Sequence, residues 1–425
     1  MSARAAVVVT GTEVLTGRVA DRNGPWLAEQ LRRLGIDIAQ VIVVGDRPDD
    51  LRASLTFLRG LDLVITSGGL GPTADDLTAQ VVADHQGRPM QLDPELERRI
   101  AAIVDRLSAS RGWRPDPAAT AAGTRKQAMV PAGAAVLPPT GTAPGLVVPP
   151  APGRDGPPVV VLPGPPGELR AMWPDVLADP TVRSLLAGTS EIRQRTLRLW
   201  GTPESELAAT LREHQASLDG LEITTCLRDG ELEIVTRYPP DRQNSYDGFR
   251  QLIESAYPVT LFSSDGRTID ELVAAALTRA GLSIATAESC TGGLLAGRLT
   301  ALPGSSRYLR GGLIAYADEA KQQLLDVPAA LLGEHGAVSE EVAEAMASGA
   351  RRRFGADIGV GITGIAGPGG ATPTKPVGLV HIWVGGEGSG RHRVLQLPGS
   401  REDVRRRTVE AALHLIHRQI HRQLG

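Results

Sequence analysis

An apolar run that empties into a glycine-rich turn recurs along this chain, and that feature does most to limit what it can fold into. The first instance is Asp62-Leu63-Val64-Ile65-Thr66-Ser67-Gly68-Gly69-Leu70-Gly71-Pro72-Thr73-Ala74-Asp75-Asp76-Leu77-Thr78. A short apolar run bounded by turn residues suits a buried parallel strand, and Gly68, Gly69 and Gly71 let backbone N–H groups approach a ligand where a Cβ would obstruct it. A phosphate fits such a loop. Asp75 and Asp76 follow at an expected helix start, where carboxylates suit the helix dipole and offer hard oxygen ligands to a divalent metal bound to phosphate. An ordinary turn with an aspartate cap has the same local sequence, so the neighbouring segments must decide.

Residues 5–10 read as a β-branched strand, Gly11-Thr12-Glu13 as a turn, 25–34 as an amphipathic helix stopped by Gly35, and 36–44 as the next strand. Gly45-Asp46-Arg47-Pro48 then leads to a helix over 49–58. Strands alternating with helices over short connections imply right-handed βαβ units and a mostly parallel sheet, with ligands bound beyond the carboxyl ends of the strands. Thr12, Glu13, Asp46, Asp75 and Asp76 all fall on that rim. Helices are expected around 77–85 and 93–110, and twelve prolines then fall between Pro131 and Pro166. Within that stretch Gly141-Thr142-Ala143-Pro144-Gly145 and Leu162-Pro163-Gly164-Pro165-Pro166 read as further rim loops, and Arg125 and Lys126 upstream could reach a phosphate.

A chain of 425 residues has room for two or three domains. Residues 192–262 read as a small α+β unit of order β-α-β-β-α-β, with Asp229-Gly230 as its hairpin turn and no chemistry of its own. It is expected to be a spacer or a dimerisation unit.

A third unit begins near Asp265 with a helix over 269–280 and a strand over 282–286. Ala287-Glu288-Ser289-Cys290-Thr291-Gly292-Gly293 then opens another helix, placing the Ser289 hydroxyl where successive N–H groups and a helix dipole can stabilise an oxyanion. Tyr316-Ala317-Asp318-Glu319-Ala320-Lys321 offers Lys321, a base if desolvation lowers its pKa. An N-cap serine and a surface lysine would read the same way. The strand 357–362 enters Thr363-Gly364-Ile365-Ala366-Gly367-Pro368-Gly369-Gly370, dense enough in glycine to line a ligand. Lys375-Pro376-Val377-Gly378 begins a strand over 379–384, expected to pair with 392–397. In the closing basic helix, His414, His417 and His421 fall near one face and read as surface or interface histidines, since no carboxylates repeat with them.

Cys226 and Cys290 lie far apart without metal-type spacing, which argues against a disulfide framework or a structural zinc site. A net charge of -3 with both signs interspersed gives no footprint for nucleic acid or an anionic membrane. No Gly-x-x-Gly loop or basic stripe appears between Glu191 and Phe262. No apolar run approaches the roughly 20 residues needed to span a bilayer, and Met1-Ser2-Ala3-Arg4-Ala5 leads into a strand without a signal pattern. The expectation is a cytoplasmic protein that works on small molecules.

Taken together, these motifs resemble the CinA family (competence/damage-inducible protein A), in the family's order and over nearly the whole chain. Gly68 to Thr78, Lys126-Gln127-Ala128, Gly141 to Gly145 and Leu162 to Pro166 resemble its N-terminal domain, which has the fold of molybdopterin-binding proteins. The middle unit corresponds to the family's KH-like domain. Ala287 to Gly293, Pro303-Gly304-Ser305-Ser306, Glu319-Ala320-Lys321, His335-Gly336-Ala337-Val338-Ser339, Thr363 to Pro368 and Lys375 to Gly378 resemble the nicotinamide-nucleotide amidase domain. The resemblance implies a multi-domain α/β chain: a molybdopterin-binding-like α/β domain over 1–175, a small α+β KH-like domain over 190–262 and an α/β amidase domain over 265–425.

It further implies two hydrolytic activities. The C-terminal domain would convert nicotinamide mononucleotide to nicotinate mononucleotide and ammonia without a cofactor, using Ser289 and Lys321, with Glu288, Thr291, Gly292, Gly293, Tyr316, Thr363, Gly364 and Lys375 around the substrate. The N-terminal domain would hydrolyse ADP-ribose to AMP and ribose 5-phosphate, with Gly68, Gly69, Gly71, Thr73, Lys126 and Gly164 at the substrate and Asp46, Asp75 and Asp76 holding a divalent metal ion, magnesium or similar. Nucleotides would be its only partners besides a second copy in a homodimer, with no nucleic acid and no membrane. The chain departs from the family where Gly-Asp-Glu is usual and Gly11-Thr12-Glu13 stands, losing one carboxylate from the metal rim. Tyr-Ser-Asn-Glu-Ala-Lys becomes Tyr316-Ala317-Asp318-Glu319-Ala320-Lys321, and Gly369 replaces a frequent aspartate. Asp318 would favour the protonated form of Lys321. The rival reading is a non-catalytic protein that binds molybdopterin or a nucleotide in a competence or DNA-damage role; the pair Ser289 and Lys321 favours the enzyme.

Overall fold

The apolar runs become strands covered on both faces: Ala5 to Val9, Leu63 to Ile65 and Val159 to Leu162 are at most 3% exposed, as continuous hydrophobic strands of a parallel sheet demand. The structure, a computed structural model, describes residues 3–188 and 191–424, with side chains through 422. The chain divides into two compact units, Met1–Arg193 and Gln194–Gly425.

The first unit carries a six-stranded sheet in the order Asp37–Val44, Arg4–Thr10, Leu63–Ser67, Val159–Leu162, Gly145–Val148, Ala135–Leu137. The first four strands run parallel and the last two antiparallel. Apolar clusters containing Leu27, Leu31 and Trp173 on one face and Leu55, Val82 and Ile100 on the other bury the sheet. The carboxyl ends of the parallel strands therefore share one edge, and the loops that leave them form a rim.

Asp75 and Asp76 do not start a helix. The helix is Thr78–Gln86, with no acidic residue in its first turn. Asp76 turns back instead, its Oδ2 accepting the Thr73 N–H at 3.0 Å and the Thr73 hydroxyl. A side chain that satisfies its own loop is not available to cap the next helix. Helix Pro117–Gln127 carries Arg125 and Lys126 and is capped by Asp116 at the Ala119 N–H, 2.7 Å. Its alanine-rich sequence lacks the apolar stripe by which helices are recognised.

In the second unit, a four-stranded sheet runs Glu222–Arg228, Glu231–Tyr238, Arg193–Trp200, Leu261–Ser263, with helices Glu204–Glu213 and Gln243–Ala256 in the expected order. Asp229 (φ 56°) and Gly230 (φ 90°) are both left-handed, as a two-residue hairpin turn requires. The expected boundary at residue 190 lies outside the described residues.

The same unit holds a five-stranded sheet in the order Leu309–Ile314, Ile284–Glu288, Ile358–Gly364, Leu379–Gly386, Ser389–Gln396. Its first three strands are parallel, and the last two continue antiparallel. Helix Glu340–Phe354 lies so close to one face that a Cβ at Gly359 or Gly361 would come within 2.1 and 1.9 Å of the Ala347 and Ala343 carbonyl oxygens. Helix Ile269–Ala280 starts with a Thr268–Glu271 capping box and stops at left-handed Gly281. Helix Arg401–Leu424 packs Val404, Leu413 and Ile416 into the core shared with Ile284 and Ile358. His414 on that helix is 2% exposed and is not a surface group. No described helix is long and apolar enough to cross a membrane.

Candidate active sites

The rim of the first unit encloses a cavity of about 640 Å³ lined by Gly68, Gly69, Gly71, Gly164, Asp46, Asp75 and Asp76. The glycines are needed by the loop itself. A Cβ on Gly68 (φ +109°) would stand 2.4 Å from the Thr10 carbonyl oxygen, and one on Gly69 (φ +66°) 2.1 Å from Thr78 Oγ1. Lys126 Nζ donates to the Thr73 carbonyl, closing the loop from the side. Asp46 Oδ2 accepts the Thr12 N–H at 2.9 Å and its hydroxyl at 2.7 Å. Thr12 thus ties down a neighbouring carboxylate and adds none of its own. Asp46, Asp75 and Asp76 face the same cavity, but they do not bring three ligand atoms within 4.8 Å of one another.

Two cavity residues escaped sequence reasoning. Asn23 is 6% exposed; its Nδ2 donates to Ser67 Oγ (2.9 Å) and the Gly164 carbonyl (2.7 Å), while Oδ1 is buried with no partner among the described residues. An orphaned acceptor at a cavity wall is a vacant place for a ligand donor. Glu168, in the first turn of helix Pro166–Ala178, has its pKa pushed up by burial. Its position directly after the Leu162 to Pro166 loop was the available signal.

In the second unit, Ser289 leaves the end of strand Ile284–Glu288, with its N–H donating to the Ile362 carbonyl at 2.9 Å. It is 8% exposed, and its hydroxyl has no hydrogen-bond partner among the described residues. Glu288, 1% exposed, is fully engaged: its carboxylate accepts the N–H groups of Gly293 (3.1 Å), Leu295 (3.0 Å) and Ala296 (2.8 Å), capping helix Leu294–Leu299. It is placed to shape the loop and has no oxygen turned to a substrate. The Gly292 N–H is likewise spent on the Ser289 carbonyl at 3.1 Å. Of the expected oxyanion donors around Thr291 to Gly293, this leaves Thr291, whose hydroxyl is buried and unpartnered. The neighbouring Cys290 is no rival nucleophile, because burial pushes its thiol up to about 12.

Lys321 is 1% exposed, with Nζ donating to the Tyr316 carbonyl and to Asp318 Oδ1, each at 3.1 Å. It is not a surface residue. Glu288 pairs with Ile314 in parallel register and its carbonyl accepts the Ala315 N–H at 2.9 Å, so Ser289 and Lys321 follow adjacent strand ends. No hydrogen bond joins them. Thr363, 1% exposed, ends the next strand and donates to the Ala337 carbonyl at 2.6 Å. Gly364 is required by packing, since a Cβ would meet Val380 Cγ2 at 2.7 Å. Lys375 Nζ donates to the His335 carbonyl.

Tyr316 is 58% exposed and its hydroxyl accepts from Arg401 at 2.8 Å. Arg401 also donates to the Gly367 carbonyl (2.9 Å), and Arg405 donates to the carbonyls of Cys290 (3.1 Å) and Thr291 (2.9 Å). The last helix thereby grips both glycine-rich loops, a role its sequence showed only as basic charge.

Two family models match the chain: one described as the CinA C-terminal domain over residues 266–420, and one described as a probable molybdopterin binding domain over 6–183. A CinA-like protein of Mycolicibacterium gilvum (strain PYR-GCK) is 56% identical, with 99% of each chain covered. Another, from Mycobacterium sp. (strain JLS), is 55% identical at the same coverage. Among solved structures, the competence/damage inducible protein CihA from Agrobacterium tumefaciens is 42% identical over 35% of this chain and 93% of its own, with a TM-score of 0.34.

Proposed function

Because the chain belongs to the CinA family, we propose that it is a hydrolase of pyridine nucleotides, deamidating nicotinamide mononucleotide at Ser289 and cleaving ADP-ribose at the rim of the first unit. The observation that carries the amidase half is a free serine hydroxyl at one strand end, with a buried lysine behind the next and an unpartnered Thr291 beside it. Ser289 Oγ attacks the carboxamide carbon while Lys321 takes its proton. The C–N bond then breaks and ammonia leaves with that proton, giving an ester that water hydrolyses to the nicotinate product and free serine. Thr291, whose hydroxyl is unpartnered among the described residues, would supply the oxyanion donor. The loop gripped by Arg405 holds the nucleophile in position.

For the first unit, a cavity of about 640 Å³ falls in the range of about 300–1,000 Å³ typical of ligand sites. Asp46, Asp75 and Asp76 would hold a divalent ion through one or two of their carboxylates, as magnesium is commonly held with water filling the rest of its shell. Such an ion would neutralise pyrophosphate charge. Glu168, with its raised pKa, is suited to accept the proton of the attacking water, and Asn23 Oδ1 to accept from the sugar or base.

The deciding experiment is ammonia and nicotinate mononucleotide formation by metal-free protein. Turnover abolished by Ser289→Ala supports the amidase. Folded protein without turnover would turn attention to the non-catalytic reading, a protein that binds molybdopterin or a nucleotide.

A further inference from the structure

We propose that Glu231, Glu410 and His414 form a cation site, distinct from the rim carboxylates, that takes a divalent transition metal of the zinc class and ties the hairpin to the C-terminal helix. Their ligand atoms all lie within 4.8 Å of one another. His414 Nε2 is 2.7 Å from Glu231 Oε1 and 3.9 Å from Glu410 Oε1, and the side chains of His414, Glu410 and Glu231 are 3, 5 and 14% exposed. Glu410 and His414 share a helix face four residues apart. Glu231 arrives from the start of strand Glu231–Tyr238, so the helix and the hairpin each contribute.

The second observation is an orphan. Arg298 occupies Glu410 Oε2 and holds Asp270 through two bonds of 2.8 Å. Glu410 Oε1, by contrast, is buried and without a hydrogen-bond partner among the described residues. One oxygen is oriented from behind and the other is left for a ligand, the arrangement by which outer partners aim metal-binding carboxylates. The imidazole is fixed as well, stacked on Trp200 (4.1 Å, 9°) and edge-on to Phe262 (4.6 Å, 84°).

Charge points the same way. Asp270 and Glu410 share a single guanidinium, that of Arg298, and Glu231 has no arginine or lysine partner among the described residues, its charged neighbour being His414, while Arg393 and Arg418 lie over the Trp200 ring and pair with neither glutamate. Buried carboxylates in excess of their counter-ions are neutralised by a proton or by a further cation. Two carboxylate oxygens and an imidazole nitrogen suit zinc, leave a fourth position for water, and differ from the all-oxygen sets of magnesium and calcium.

The test is titration of zinc chloride into metal-stripped full-length protein by calorimetry, with thermal unfolding in parallel. The expected result is one zinc equivalent per chain, counted beyond any taken up at the rim, that is lost in both Glu410→Gln and Glu231→Gln. It should be kept in the double variant His417→Ala/His421→Ala, which removes a neighbouring pair with nitrogens 3.0 Å apart, and in Asp76→Ala at the rim. Zinc should raise the Tm of wild type and leave that of Glu410→Gln unmoved. Wild-type protein that takes up no zinc, or the same uptake by wild type and by folded Glu231→Gln, would overturn the proposal and leave the cluster a polar seam between the hairpin and the helix. No arm of the test depends on amidase activity.

Discussion

The Nζ of Lys321 lies 3.1 Å from Asp318 Oδ1, joining a lysine whose side chain is 2% exposed to an aspartate whose side chain is 51% exposed. In the proposed amidase this lysine must accept the serine proton, and a neighbouring negative charge opposes that. Asp318→Asn is therefore expected to raise kcat for nicotinamide mononucleotide at neutral pH. Lys321→Ala should lower kcat by about 10²- to 10⁴-fold, the usual span for a general base. Ammonia release at neutral pH checks both; a kcat unmoved by Asp318→Asn would show that this charge does not reach the base.

Arg405 should matter through position. Its bonds to the Cys290 and Thr291 carbonyls hold the loop in which Ser289 sits, and each such charged hydrogen bond contributes about 1.5–3 kcal/mol. A loop displaced by an ångström loses about a hundredfold in rate. Arg405→Ala is expected to lower kcat on that scale with a smaller effect on KM, and Arg405→Lys, unable to reach both oxygens in one plane, to recover part of it. Equal effects on kcat and KM would place Arg405 on the substrate instead.

What could be read from the chain follows physical locality. Several strands were legible because buried runs such as Val159 to Leu162 announce themselves, and the hairpin because Asp229-Gly230 admits few other turns; the sheet order, and strands Gly145–Val148 and Leu309–Ile314, were not. Ser289 was legible as the residue leaving a strand for a helix. The start of helix Thr78–Gln86 was not, since whether Asp76 caps a helix or closes on Thr73 is decided by two hydrogen bonds inside its own loop. The position of Glu288 was legible and its use was not: its carboxylate is taken by three N–H groups that follow it. The partner of His414 was hidden for another reason, because Glu231 is 183 residues away.

Glu168 links stability to pH with a definite sign. Burial raises its pKa above the ordinary 4.5, so the folded state binds this proton more tightly than the unfolded chain. The stability this provides is present below 4.5 and is lost as pH rises through the folded value. Glu168→Gln should remove that dependence, giving protein that resists urea better than wild type at neutral pH while losing ADP-ribose hydrolysis. Retained hydrolysis would take Glu168 out of the proton transfer.

Asp357 carries the opposite sign, at the end of the second unit's sheet remote from Ser289. Its Oδ2 accepts the Ser283 hydroxyl at 2.6 Å and the Ser283 N–H at 2.7 Å, joining the starts of two parallel strands. These bonds hold the carboxyl below its ordinary value of 3.8. The stability they provide is present above 3.8 and disappears as pH falls through the depressed value, where the carboxylate takes up a proton. Ser283→Ala is expected to cost about 1 kcal/mol at neutral pH, read as a lower urea midpoint at unchanged slope. The gap from wild type should narrow in acid, since protonation weakens the same bond in wild type. A gap independent of pH would assign the loss to packing at Ser283, and a fall in amidase kcat at neutral pH would mean that strain at this end of the sheet reaches the serine loop.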